Sequence, residues 1–232
     1  MRTSAIIVAA GSGRRLGAGQ PKAFVSLGGR TLLARSLATV AALRELFEVV
    51  ITVPPGMETE ARAEARRAGM TIPVKITAGG IERQDSVRIA LSLTSAESDL
   101  VVIHDAARPF ASPALFERCI EAAARCGGAI AAIPVADTLK RVEKNMIEAT
   151  LPRAGLYQAQ TPQAFRRRLL IDAHERARAA GITATDDADL VERLGQRVEI
   201  VEAAALNLKI TTRSDLQIAE AIAATLEKQE TP

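Results

Sequence analysis

Ala5-Ile6-Ile7-Val8-Ala9-Ala10-Gly11-Ser12-Gly13-Arg14-Arg15-Leu16, followed by Pro21-Lys22, is the stretch on which the reading of this chain turns. Its apolar start predicts a buried strand. The glycines after it let the backbone turn tightly and approach a ligand, and the cations supply charge where phosphates would sit. Spacing excludes two commoner glycine loops. The dinucleotide fingerprint G-x-G-x-x-G needs a glycine where Leu16 stands, and the P-loop G-x-x-x-x-G-K-[ST] needs one where Leu16 or Ala18 stands. What remains is a loop with room for a base against Ala9 and Ala10, and with Arg14, Arg15 and Lys22 facing a triphosphate. The alternative is a strand-to-loop turn whose basic residues are solvated.

Outward from this loop, predicted strands alternate with predicted helices. Leu33, Leu37 and Val40 share one helical face, and the apolar run over 48–53 stops at Pro54-Pro55-Gly56. A polar helix over 58–68 ends at Gly69, a strand covers 74–77, and Gly79-Gly80 leads into a helix carrying Val87, Ala90 and Leu91. The run over 100–103 is wholly apolar, Ser112-Pro113 supplies a cap and a first-turn proline, and another buried strand covers 129–135. Such alternation predicts an α/β, Rossmann-like fold with a mostly parallel sheet between helices, whose ligands bind beyond the carboxyl ends of the strands.

The rhythm breaks over 136–163. Runs over 138–142 and 146–151 flank Glu143-Lys144-Asn145 and predict an inserted β-hairpin arm, at about 136–158, within a single domain spanning 1–232. An exposed hairpin needs cover, and a second subunit is one solution. The alternative is a hairpin lying flat on its own domain. Helices over 164–180 and 187–194, a strand over 198–201 and a closing helix over 215–227 complete the expectation.

Composition narrows the chemistry. At 232 residues and 48% hydrophobic content the chain can bury a substantial core, and no apolar run or leader-like start suggests a membrane or secretory segment. The expected setting is cytoplasmic. A net charge of +3 suits anionic ligands, while aromatics at 3% leave few platforms for stacking nucleic acid, so small phosphorylated molecules fit better. Cys119 and Cys126 fall in one predicted helix about 10 Å of rise apart, too far for a disulfide. His104 and His174, the only histidines, lack partners at zinc-ligand spacing.

A second constellation, His104-Asp105-Ala106-Ala107-Arg108-Pro109, follows the run over 100–103. In this architecture it lies at the carboxyl edge of the sheet, beside the glycine loop if the two strands are neighbours. There Asp105 can accept hydroxyl protons or hold Mg²⁺, and Arg108 can grip a phosphate. The alternative is a structural ion pair closing a loop.

The loop over 9–16 with Pro21-Lys22, Glu82-Arg83-Gln84-Asp85-Ser86-Val87, the segment His104–Pro109, Asp137-Thr138-Leu139-Lys140, Gln160-Thr161-Pro162-Gln163, Thr185-Asp186-Asp187-Ala188 and Asn207-Leu208-Lys209-Ile210-Thr211 together resemble the 2-C-methyl-D-erythritol 4-phosphate cytidylyltransferase family. The blocks come in the same order along nearly the whole chain. The resemblance implies transfer of CMP from CTP to 2-C-methyl-D-erythritol 4-phosphate, giving 4-diphosphocytidyl-2-C-methyl-D-erythritol and pyrophosphate in the non-mevalonate isoprenoid pathway. It implies that Arg15 and Lys22 stabilise the transition state, and that Ala9, Ala10, Gly11, Ser12, Gly13, Gly80 and Ser86 hold the nucleotide. Asp105, Arg108, Thr138 and Thr161 would contact the polyol phosphate, with Arg153 and Lys209 placing its attacking phosphate. Mg²⁺ would be held mainly by the CTP phosphates, with Asp105 as the one candidate protein ligand. The hairpin arm would reach into the partner of a homodimer, so that Thr138 and Arg153 complete the neighbouring site.

Two departures stand out. Ile81 follows Gly79-Gly80 where some relatives carry Asp, and Pro152-Arg153-Ala154-Gly155 matches the family pattern loosely. The competing readings are a cytidylyltransferase for another polyol phosphate, such as ribitol 5-phosphate, and a non-catalytic nucleotide-binding regulatory subunit. The latter predicts erosion of a cationic set that is intact here.

Overall fold

A computed structural model describes residues 1–17 and 19–230. In chain order the first half comprises β1 (Thr3–Val8), β2 (Ser26–Leu27), β3 (Arg30–Thr31), α1 (Leu32–Ala41), β4 (Leu46–Val53), α2 (Glu58–Arg67), β5 (Val74–Ala78), α3 (Arg83–Leu93) and β6 (Leu100–Asp105). There follow α4 (Pro113–Cys126), β7 (Gly128–Pro134), β8 (Leu139–Glu143), β9 (Met146–Leu151), β10 (Tyr157–Arg166), α5 (Arg167–Ala179), α6 (Asp187–Glu192), β11 (Glu199–Glu202) and α7 (Arg213–Glu230).

Seven strands form one sheet in the order β11-β7-β10-β6-β1-β4-β5, with only β10 antiparallel to its neighbours. Alternate residues feed opposite faces, as the strand period of two requires. Ala5 and Ile7 of β1 join Leu33, Leu37 and Phe116 on one side, while Ile6 joins Val87, Leu91 and Leu170 on the other. This double burial explains why most of the strands read as unbroken apolar runs. The N-terminal cap read from sequence is in place at α4, where Ser112 Oγ accepts from the Leu115 N–H at 3.3 Å and Pro113 opens the helix; the structure adds Gly127, which closes it at φ +100°.

The chain moves outward from β1 through β4 to β5, then returns to set β6 on β1's other side. This reversal opens a crevice between the carboxyl ends of β1 and β6. The register is direct: Val8 lies opposite Asp105. The glycine loop and the His104–Pro109 segment therefore leave adjacent strands at the same height.

The structure corrects the expectation over 157–166. These residues form β10, and the helix expected from 164 begins at Arg167. Gln160, Thr161 and Pro162 sit where the pairing with β7 slips register, which accommodates a proline that has no N–H to give. The hairpin is present with a tighter turn than expected, because β8 continues through Glu143. Only Lys144 and Asn145 remain, both left-handed at φ 46° and 65°, as a two-residue turn on right-twisted strands requires. Together β8 and β9 form their own two-stranded sheet.

Candidate active site

A cavity of about 260 Å³ occupies the crevice. Ala9, Ala10, Gly11, Arg15, Lys22, Gly80, Ser86, Asp105 and Lys209 line it, together with Val8, Ala23, Ile81, Glu82, Arg83, Ala106 and Ala107. Nine residues singled out from the sequence thus share one space. Ser12 and Gly13 belong to the same loop without lining the cavity. The Arg14 side chain and Ala18 lie outside the described residues.

Close backbone approach fixes the loop. The Ala9 N–H donates to the Thr52 carbonyl at 2.8 Å, continuing β1's pairing past its end. Gly13 adopts φ +68°, and a Cβ there would stand 2.8 Å from Lys22 Cβ and 3.1 Å from its backbone nitrogen. Glycine at this position therefore lets the loop close on the backbone that carries Lys22. Gly79 does the same on the opposite wall, since a Cβ would meet Ala10 Cβ at 2.3 Å and Ser86 Oγ at 2.7 Å. The Ser86 hydroxyl accepts from the Gly80 N–H at 3.1 Å and donates to the Glu82 carbonyl at 3.2 Å, pinning that wall.

Asp105 is held from both sides. Arg83 Nε donates to Oδ1 at 2.9 Å, and Lys209 Nζ donates to Oδ2 at 2.6 Å. Burial alone would raise this carboxyl, but the two cations outweigh it and hold the group well below the usual carboxylate range. Arg83 also reaches Asp187 Oδ2 through Nη1 at 2.7 Å, and both carboxylates push its guanidinium upward against the effect of burial. Lys22 behaves oppositely. Burial, then the like charges of Lys209, Arg15 and Arg108, lower it to about 8 despite Asp105.

Behind the cavity, a donor-consistent chain fixes the strand end. The Asp105 N–H donates to Thr161 Oγ1 at 3.0 Å, the Thr161 hydroxyl lies 3.1 Å from His104 Nδ1, and His104 Nε2 lies 3.0 Å from the Arg108 carbonyl. Burial first of all brings His104 down to about 4, so the ring is neutral. These contacts assign the remaining proton to Nε2, which donates to Arg108. Thr161 and Arg108, expected in the pocket, are buried outside the lining. Arg108 Nη1 instead donates to the Asn207 carbonyl at 2.8 Å, while its buried Nε has no acceptor among the described residues. Ile210 N donates to the Ala107 carbonyl at 2.8 Å, which docks the segment carrying Lys209 against this turn.

Thr138 and Arg153 lie on the arm, exposed and outside the cavity, and Arg153 Nη1 donates to the Ala136 carbonyl. Arg83 is the important residue that sequence reasoning passed over. Its signal was present: an arginine in the first turn of a helix opposes the macrodipole, an anomaly that a carboxylate partner resolves. For a metal, the donor set is poor. Both Asp105 oxygens are committed to cations, and the described residues contain no cluster of three or more His, Cys, Asp or Glu side chains at metal-binding separation. The expectation of Asp105 as a metal ligand does not fit these contacts.

Comparison with known proteins gives a consistent answer. The profile of the 2-C-methyl-D-erythritol 4-phosphate cytidylyltransferase family matches residues 3–225. The enzyme of that name from Deinococcus radiodurans is 48% identical over 95% of this chain and 89% of its own length. The one from Geobacillus kaustophilus is 41% identical over 97% of this chain and 98% of its own. The crystal structure of the Thermus thermophilus enzyme of the same name superposes with a TM-score of 0.81 and 41% identity, covering 97% of this chain and all of that one. With the fold, the basic glycine loop and the His104–Pro109 block all in place, the chain belongs to the 2-C-methyl-D-erythritol 4-phosphate cytidylyltransferase family.

Proposed function

We propose that this chain transfers CMP from CTP to 2-C-methyl-D-erythritol 4-phosphate. A phosphate oxygen of the polyol forms a bond to the α-phosphorus of CTP, the bond to the bridging oxygen breaks, and pyrophosphate leaves. The observation that carries this reading is the convergence of Arg15, Lys22 and Lys209 on one cavity whose buried carboxylate, Asp105, is already paired. A phosphate monoester has a second pKa near 6 and is mostly dianionic at neutral pH, so the nucleophile needs no general base. The neutral, buried His104 is consistent with that economy. The protein's task is to bring two polyanions together and to stabilise charge growing on the α-phosphate and the leaving group.

In this reading Arg15 and Lys22 meet the triphosphate, and the wall formed by Ala9, Ala10, Gly11, Gly80 and Ser86 receives the nucleoside, with Ser12 and Gly13 shaping the loop. Lys209 receives the polyol phosphate. Arg108 braces the turn after β6 through the Asn207 carbonyl, and Thr161 holds the Asp105 backbone in place. Mg²⁺ would be held by the triphosphate rather than by these side chains and would supply charge neutralisation there. The setting is cytoplasmic, and no helix among the described residues is long and apolar enough to cross a membrane.

The arm supports a homodimer. Val142, Met146 and Ile147 are 54%, 72% and 64% exposed, and a two-stranded sheet of such residues gains stability from cover. A partner subunit provides that cover and receives Thr138 and Arg153 beside its own cavity.

Pyrophosphate release, measured with CTP, Mg²⁺ and a panel of polyol phosphates, tests the activity. The methylerythritol phosphate is expected to be the preferred acceptor. Preference for ribitol 5-phosphate would overturn the substrate, and CTP binding without release would overturn catalysis. A pH profile tests Lys22 separately. Since kcat/KM reports the free enzyme, its value for CTP is expected to fall as pH rises through the Lys22 pKa of about 8, approaching about tenfold per pH unit. A profile flat to pH 10 would remove Lys22 from the triphosphate site.

A further inference from the structure

The pairing at Asp105 continues inward as an alternating chain of charge. Lys209 Nζ meets Asp105 Oδ2 at 2.6 Å, Asp105 Oδ1 meets Arg83 Nε at 2.9 Å, and Arg83 Nη1 meets Asp187 Oδ2 at 2.7 Å. Asp187 Oδ1 in turn lies 3.3 Å from His174 Nε2. The two ends of this chain differ sharply: the Lys209 side chain is 39% exposed and that of Asp187 1%, with Asp105 and Arg83 between them at 9% and 26%. The outermost member is free to move and the innermost is fixed. Asp187 is anchored further by its backbone N–H, which donates to Gln163 Oε1 at 3.2 Å.

This asymmetry bears on a step that the proposed reaction requires. When Lys209 turns its ammonium toward the attacking phosphate, its attraction to Asp105 is shared with that phosphate and weakened. That carboxylate is only 9% exposed, and a buried carboxylate stripped of its sole counter-ion is strongly disfavoured. Here it keeps a second one. Arg83 holds the other oxygen and cannot follow the phosphate outward, because Asp187 holds it from behind. The planar guanidinium suits the task, presenting separate N–H groups to two carboxylates in a fixed geometry, whereas a lysine ammonium is a single point of charge on a flexible stem.

We infer that Arg83 and Asp187 are positioning residues, which keep Asp105 paired and in place while Lys209 changes partner from Asp105 to the phosphate of the polyol substrate. The inference rests on the reading of Lys209 as the residue that receives this phosphate. It assigns work to a residue of α6 that does not line the cavity.

The test is the Asp187→Asn variant, which keeps the shape and one acceptor oxygen for Arg83 but removes the anchoring charge, with kcat and KM measured separately for both substrates. The expected result is a fall of about tenfold or more in kcat/KM for the polyol phosphate, with KM for CTP within about twofold of the parent. In a Lys209→Ala background, Asp187→Asn should add less than about a twofold loss, because the partner exchange it serves is already gone. A purely structural role would depress both substrates alike and persist undiminished in that background, and either finding would overturn the inference. Should Asp187→Asn fail to fold, Arg83→Lys poses the same question and should show the same substrate-selective loss. Failure of the underlying reading is separable: near-normal turnover of Lys209→Ala alone would overturn the role of Lys209 whatever Asp187 does.

Discussion

Replacing Lys22 by alanine is expected to lower turnover by at least about a hundredfold, the scale of losing one preorganised donor to developing charge. Near-normal turnover would overturn the role. The argument comes from the environment of the ammonium, which is packed with Arg15 and Lys209 in one cavity and depressed to about 8 by burial and by those like charges. An ammonium so placed is poorly matched to the empty cavity and well matched to a triphosphate, so its removal harms the reaction more than the fold. The folded protein should therefore be as stable as the parent or more so. The sign follows from linkage: with a folded pKa of about 8 and an ordinary value of 10.5, the charged lysine disfavours folding fully below about pH 8, and the penalty fades between 8 and 10.5. Any thermal stabilisation of Lys22→Ala should be largest at neutral pH and absent above 10.5. A variant that unfolds more readily at neutral pH would contradict this account.

Mixing two inactive proteins should restore activity. One carries Lys22→Ala and the other carries Thr138→Ala with Arg153→Ala. If each cavity is completed by the arm of its neighbour, every mixed dimer has one intact site, formed by Lys22 of one chain and the arm of the other. Random exchange of equal amounts gives half mixed dimers, and hence about a quarter of parental activity. No recovery, with exchange confirmed by a tagged chain, would exclude a shared site and leave the exposed Val142, Met146 and Ile147 without this explanation.

Much of this molecule was legible in its sequence because most sheet strands carry apolar residues to both faces. Ala5-Ile6-Ile7-Val8 and the run over 100–103 announced their elements, and the register between Val8 and Asp105 then brought the two chemical motifs together. β10 was not legible. Gln160, Thr161, Pro162 and Gln163 lack an apolar pattern, and their burial depends on distant partners: Gln160 Oε1 accepts from Asn207, Thr161 Oγ1 from the Asp105 backbone, and Gln163 Nε2 donates to Asp186. Arg83 escaped notice for the same reason, since what it does is decided by Asp187, 104 residues away. Arg108 shows the converse. The motif promised a residue facing the pocket, but the turn after β6 delivers its guanidinium to the Asn207 carbonyl.

The antiparallel course of β10 has a consequence for how this enzyme can change. Because β10 runs back beside β7, the chain leaves the sheet at Pro134 and rejoins it opposite, at Tyr157, with the Val135 N–H bonded to the Leu156 carbonyl at 3.0 Å. The intervening residues are a cassette with both feet on one spot. Their length and sequence can drift, or be exchanged wholesale, while the registers of β7 and β10 and the cavity between β1 and β6 stay as they are. On the proposed reading, acceptor choice and subunit contact sit on a segment that evolution, or an engineer, can rewrite without reopening the fold.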